Sequence, residues 1–262
     1  MVNEKSLIDT IIKDGIGRIT INRAEKRNAM TLGMWRDLGA VLEAWAENSE
    51  IRTLIIAGDG DLSFCAGNDI KEYVTIRVTP EQRETYDATT THTYDLLRTF
   101  PKPTIARITG FCVGGGMELA LLCDLQIAAD TATFGVTPAR LGIGYKLNDV
   151  QLLLTNISAK HAKEMLYTAD RFPADDAVRW GLISRSVPAG ELDATIATLA
   201  ARIAANAPMT VNALKQTIHE AIKAEPNEDL CNALVAACDA SSDRIEGQAA
   251  FAEKRKPKFT GT

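Results

Sequence analysis

The chain has 262 residues, 46% of them apolar, 24% charged and 6% aromatic. This composition excludes long disorder, collagen and coiled coil as the main architecture. Lys plus Arg number 29 against 34 Asp plus Glu, a formal charge of −5, which argues against nucleic acid and anionic membranes as partners. Residues 11–21 alternate imperfectly around Gly15 and Gly17 and read as a hairpin of two short strands. Thr31 reads as an N-cap for a helix over Leu32–Ala46. Residues 52–57 are apolar and rich in β-branched side chains, hence a buried strand, ended by a turn at 58–61. A long helix is expected over 80–100, with Pro80 in its first turn and Pro101 and Pro103 stopping it. Residues 104–109 read as a strand, 117–122 as a short helix and Leu125–Ala129 as a third strand.

The first half thus repeats strand, turn, helix, strand, which argues an α/β class with repeated crossovers. Beyond Ser158 the pattern is helical, with starts at Ser158, Pro173, Glu191, Pro208 and Pro226 and a last helix over 243–256. A core domain over 1–190 and a helical C-terminal region over 191–262 are expected. The apolar positions Leu214, Ile218, Leu230, Leu234 and Val235 need burial, for which an oligomer interface is a natural candidate. Cys65, Cys112, Cys123, Cys231 and Cys238 form no CxxC pair and no zinc spacing, and read as thiols of a reducing compartment. Residues 1–10 carry Glu4, Lys5 and Asp9 and resemble neither a secretory signal nor a transit peptide. No apolar run reaches the about 18 residues that span a bilayer. A cytoplasmic protein is expected.

Two glycine-bearing turns carry the chemistry. One is Ser63-Phe64-Cys65-Ala66-Gly67-Asn68-Asp69-Ile70; the other runs from Gly110 to Ala120 through Gly114-Gly115-Gly116. Consecutive glycines before a helix let a ligand approach unpaired N–H donors at a positive helix end. Close packing of helix on strand is the plainer reading of either turn alone. Neither matches a nucleotide fingerprint.

The two turns together, with Pro101-Lys102-Pro103 before the middle strand, resemble the crotonase (enoyl-CoA hydratase/isomerase) superfamily. The resemblance covers almost the whole chain. It takes in Asn22-Arg23, Asn28-Ala29-Met30, Ala66 to Ile70, Gly114 to Glu118, Cys123-Asp124, Phe134-Gly135, Leu141-Gly142, residues 177–182 and Phe251 to Lys256. It implies a crotonase-like spiral of ββα units with a helical trimerisation region. It also implies an acyl-CoA thioester as ligand, no metal or redox cofactor, and a trimer or dimer of trimers. By the same resemblance, the backbone N–H groups of Asn68 and Gly115 would hold the thioester oxygen as enolate charge collects on it. Arg23, Lys26, Ala29, Ala66, Asp69 and Ile70 would line the path of coenzyme A, and Phe251 and Lys254 would reach the CoA of a neighbouring subunit.

Hydratases of the family resemble a two-carboxylate machine. Glu118 matches the first carboxylate, although an acid there also suits the helix dipole. The second would stand four positions past Phe134, where this chain has Pro138. Residues 137–147 are instead similar to the methylmalonyl-CoA decarboxylase branch. There Thr137 and Tyr145 would replace the second acid, Tyr145 holding a leaving carboxylate or else serving as a core tyrosine. That branch has His where this chain has Asn68. Decarboxylation of a malonyl-type CoA is the reading favoured at this level, with hydration of a 2-enoyl-CoA as the rival and CoA binding without turnover as the third. Asp149 either caps a helix over 150–155 or supplies the absent acid. His92, His161 and His219 are scattered, and Trp35, Trp45 and Trp180 read as packing residues.

Overall fold

The computed structural model describes residues 6–262; Glu4 and Lys5, on which part of the N-terminal reading rests, lie outside them. Strands β1 (Ile8–Lys13) and β2 (Ile16–Ile21) form the expected hairpin, which begins before the alternating stretch. Asp14 and Gly15 turn it with φ of 52° and 78°, the left-handed pair that a two-residue hairpin requires. The Thr31 hydroxyl accepts from Met34 N and starts α1 (Leu32–Ala46), which buries Met34, Trp35, Leu38 and Leu42 along one face. Strand β3 (Thr53–Gly58) is buried on both faces and is followed by β4 (Ser63–Cys65), α2 (Ile70–Ile76) and α3 (Pro80–Arg98). A reciprocal Thr79–Gln82 capping box fixes the start of α3. Then come β5 (Thr104–Ile108), β6 (Phe111–Val113), α4 (Gly115–Leu121), β7 (Leu125–Ala129), β8 (Thr133–Gly135), α5 (Pro138–Leu141) and α6 (Leu147–Leu154). The rest is α7 (Ala159–Thr168), β9 (Phe172–Pro173), α8 (Ala174–Trp180), β10 (Arg185–Val187), α9 (Leu192–Ala204), α10 (Pro208–Ala221), α11 (Glu228–Ala240) and α12 (Ser242–Ala252).

Three ββα units, β3-β4-α2, β5-β6-α4 and β7-β8-α5, split their strands between two sheets. The first strand of each enters a six-stranded sheet of order β1-β2-β3-β5-β7-β10; the second enters a four-stranded sheet of order β4-β6-β8-β9. From β2 onward the large sheet is parallel, as helical crossovers demand. In the small sheet β4 lies beside β6, so the turns that leave these strands come side by side.

Several boundaries differ from expectation. Helix α4 begins at Gly115 rather than 117, because glycine can start a helix that must touch the neighbouring turn. Pro173 ends a short strand and caps α8; Asn227 rather than Pro226 caps α11, its side chain accepting from Leu230 N. The last helix stops at Ala252, where Arg255 turns back to Glu246 at 2.6 Å. Asp149 does not cap a helix over 150–155: α6 starts at Leu147 with Lys146 as N-cap, which puts Asp149 inside the first turn. Packing continues across the expected division at 190/191. Leu192, Ile196 and Ala200 of α9 bury themselves against Ile55, Ile105, Ile127 and Ala129 of the large sheet. Arg107 adds a bidentate pair to Asp193, at 2.6 and 3.1 Å. Beyond α9, the buried Lys215 ammonium on α10 reaches Asp124 Oδ2 at 2.8 Å and the Lys102 carbonyl at 3.0 Å. Arg52 donates to the Ala204 and Phe259 carbonyls at 3.1 and 2.7 Å.

Candidate active site

The first turn is held by a strand-like bridge to the loop before α1. Met30 N donates to the Gly67 carbonyl and Asp69 N to the Met30 carbonyl, both at 2.8 Å. Gly67 needs its glycine twice over: its φ is +84°, and a Cβ there would meet Gly115 N and the Val113 carbonyl at 3.0 Å. The residue between these anchors is Asn68. Its backbone N–H takes no part in the backbone hydrogen bonds of the described loops. The Gly115 N–H, at the first position of α4, has no intrahelical partner by geometry. The structure therefore brings the N–H groups of Asn68 and Gly115 to neighbouring turns, neither engaged in a backbone hydrogen bond.

Glu118 stands in the first turn of α4, 9% exposed. Its Oε1 accepts from the Tyr145 hydroxyl at 2.6 Å. Burial, then the charge of Asp149, pushes its pKa up, while the hydroxyls of Tyr145 and Tyr94 and the Lys146 ammonium pull it down. Burial also leads the upward shift of Tyr145, helped by Glu118, so this phenol stays protonated. Asp149 is half-buried and shifted up as well, mainly by burial. Burial thus leads the upward shift of Glu118, Tyr145 and Asp149 alike, and each holds its proton more tightly than in water.

Tyr94 is a site residue that the sequence did not single out. Its hydroxyl donates to the Gly115 carbonyl at 3.2 Å and lies against Glu118. Trp35, expected to be packing, also has a polar role: its Nε1 donates to Asn68 Oδ1 at 2.8 Å. Inside a helical stripe neither ring stands out, and nothing in the spacing reports where its polar tip points.

The other expected residues fall in three groups. Arg23 and Asp69 are paired with each other at 2.8 Å. Arg23 also donates to the Ala29 carbonyl at 2.9 Å, and Asp69 caps α2 by accepting from Lys71 N and Glu72 N. The Arg23 partnership, foremost, holds the Asp69 carboxyl below its ordinary range. Ala66, Ala29 and the exposed Ile70 and Lys26 stand on the same two loops, Ala66 N being bound to the Arg27 carbonyl at 3.0 Å. Thr137 occupies the N-cap of α5, but its hydroxyl makes no capping bond, and Pro138 follows at the first helical position. Phe251, 88% exposed, and Lys254 stand on α12 and in the turn after it, and no hydrogen bond among the described residues ties them to the two turns.

Two backbone N–H groups without partners on adjoining turns, with a buried carboxyl three residues past one of them, are the groups that chemistry next to a carbonyl would need. The family profile described as enoyl-CoA hydratase/isomerase matches residues 11–262. Among curated relatives, the crotonyl-CoA hydratase of Syntrophomonas wolfei is 34% identical over 241 residues, covering 91% of this chain and 92% of that protein. The short-chain-enoyl-CoA hydratase of Clostridium acetobutylicum is 32% identical, covering 93% of this chain and 94% of its own. The solved structure of an enoyl-CoA hydratase/carnithine racemase from Magnetospirillum magneticum superposes with a TM-score of 0.94 at 32% identity, covering 99% of this chain and 97% of that one. The chain belongs to the enoyl-CoA hydratase/isomerase family and has the crotonase fold.

Proposed function

We propose that the protein is an enoyl-CoA hydratase, adding water across the 2,3 double bond of a 2-enoyl-CoA. The observation that carries this reading is the buried Glu118 carboxyl, coupled to Asp149 and bound by Tyr145, beside the two unpaired N–H groups. In this mechanism the thioester oxygen accepts from Asn68 N–H and Gly115 N–H. Ionised Glu118 takes a proton from water as its oxygen bonds to C3. The electron pair of the double bond moves to C2 and the thioester oxygen. Asp149 in its protonated form returns a proton to C2, and a proton passes from Glu118 to Asp149 to close the cycle. Asp149 takes the part of the acid missing at Pro138. The names of the relatives support hydration. So does Tyr145: its hydroxyl, which decarboxylation would need for the leaving carboxylate, is engaged with Glu118 at 2.6 Å.

In this reading Arg23, Lys26, Ala29, Ala66, Asp69 and Ile70 flank the coenzyme A. Phe251 and Lys254 reach the CoA of a neighbouring copy in a trimer or dimer of trimers. Leu214 and Ile218 on α10 and Ile222 just past it, 56, 60 and 73% exposed, support such an assembly. Among the described residues no helix is long and apolar enough to cross a membrane, which is compatible with a cytoplasmic site of action.

The test is mass spectrometry of CoA products from crotonyl-CoA and, separately, from malonyl-, methylmalonyl- and ethylmalonyl-CoA. Water addition to crotonyl-CoA, lost in Glu118→Gln, is expected. Carbon dioxide loss from a malonyl-type CoA, with crotonyl-CoA inert, would replace hydration by decarboxylation. Tight CoA binding with no product from any thioester would make the protein a binder.

A further inference from the structure

The side chain of Asn68 is oriented by a group with no choice in the matter. An indole N–H can donate but cannot accept. Trp35 Nε1 lies 2.8 Å from the Asn68 amide, so it faces the oxygen, and the Nδ2 donors must face away from the indole. Trp35 itself is immobilised. It is fully buried on α1, its ring meets Tyr94 edge-on at 5.1 Å and 83°, and its carbonyl accepts from Thr93 Oγ1 at 2.8 Å. No hydrogen bond among the described residues uses Asn68 Nδ2, and that atom is not among the buried polar atoms lacking partners. It is therefore an unpaired donor open to solvent. Its amide stands against the second turn: a Cβ built on Gly115 would lie 3.8 Å from Asn68 Oδ1, 3.7 Å from Trp35 Cζ2 and 2.9 Å from the Tyr94 hydroxyl.

We propose that the Asn68 side-chain amide is a third donor of the site, aimed by Trp35 as its positioning residue. The pair selects acyl-CoA ligands that carry a hydrogen-bond acceptor at C2 or C3, a hydroxyl, carbonyl or carboxylate oxygen, over plain alkyl chains. This rests on the acyl-CoA reading of the site. The two backbone N–H groups serve every thioester alike, since every thioester offers the same oxygen. A side-chain donor next to them meets the first acyl carbons, where ligands differ. A donor desolvated by an alkyl chain loses its water and gains nothing; one that meets an acceptor keeps a hydrogen bond.

Calorimetric titration with butyryl-CoA and 3-hydroxybutyryl-CoA tests this without requiring turnover. The native protein is expected to bind the hydroxylated ligand about 10-fold more tightly, the size of one well-placed hydrogen bond. In Asn68→Ala, which keeps the backbone N–H, this ratio of Kd values is expected to fall about fivefold. In Trp35→Phe, which keeps the ring and loses only the N–H, the ratio is expected to fall in the same direction. A purely structural role would weaken both ligands together and leave the ratio unchanged. A native ratio near unity, or a ratio that survives Asn68→Ala, overturns the proposal; if Trp35→Phe does not fold, Asn68→Ala alone decides it. Failure of both CoA thioesters to bind the native protein would overturn the acyl-CoA reading instead.

Discussion

In the proposed mechanism, Glu118 is where the chemistry and the stability of this protein pull in opposite directions. Its carboxyl holds a proton more tightly in the fold than in the unfolded chain, first because of burial and then because of Asp149. Stability from this group is therefore complete below the ordinary carboxylic range and declines as pH rises towards the elevated folded value. Glu118→Gln removes that loss. Its melting temperature is expected to exceed that of the native protein at about pH 8, with the gain gone by about pH 4. The same change is expected to lower kcat for crotonyl-CoA by roughly 100- to 10,000-fold. Tyr145→Phe deletes a donor that favours ionised Glu118. The acidic limb of the kcat profile is then expected to move to higher pH; a limb that stays put would mean that another group sets it. Asp149→Asn is expected to lose activity that Pro138→Glu restores in the double variant, if two carboxyls are what hydration needs. Restored turnover, measured as 3-hydroxybutyryl-CoA formed, checks this directly.

At the scale of elements, the side-by-side placement of β4 and β6 makes the site, and glycine makes the placement possible. A Cβ on Gly116 would come within 2.2 Å of the Cys65 carbonyl oxygen, a backbone atom that cannot swing aside. Gly116→Ala is expected to destabilise the fold by about 1–3 kcal/mol or more, read as a lower urea midpoint. How much of this could be read beforehand depended on length. Helix α1 announced itself through Thr31 and its apolar periodicity, α3 through Pro80 and the stopping prolines Pro101 and Pro103, and β3 through a β-branched apolar run. Strands β4, β6 and β8 have three residues each, too few for any period to show. They exist because their neighbours supply partners. Asp149 was misplaced by the same local reading: an acid before an apolar run looks like a cap, yet Lys146 takes that place and Asp149 lies inside the first turn, where its charge bears on Glu118. Both turns, Glu118 and Tyr145 stood out through the family resemblance, since each alone also has a plain packing or helix-end reading. Tyr94 and Trp35 did not, because their rings satisfy a helix stripe whatever their polar atoms do.

For the whole molecule, α10 joins the core through Lys215, which binds Asp124 and the Lys102 carbonyl, and the C-terminal tail through Arg52, which binds the Phe259 carbonyl. Leu214 and Ile218 on α10, and Ile222 just past it, stay uncovered. If copies of the chain cover that stripe, Ile218→Asp is expected to shift the mass measured by light scattering towards a single chain while the far-ultraviolet circular dichroism is retained. An unchanged mass would move the interface elsewhere.

The position of α9 has a consequence for synthesis. The strands that carry Ile55, Ile105 and Ile127 leave the ribosome well before Leu192, Ile196 and Ala200, which cover them. Throughout that interval one face of the large sheet is an open apolar surface, and its parallel strands, joined only through long crossovers, are slow to pair. A nascent chain stopped short of α9 would therefore be a client for holding chaperones, although both glycine-bearing turns had already been made.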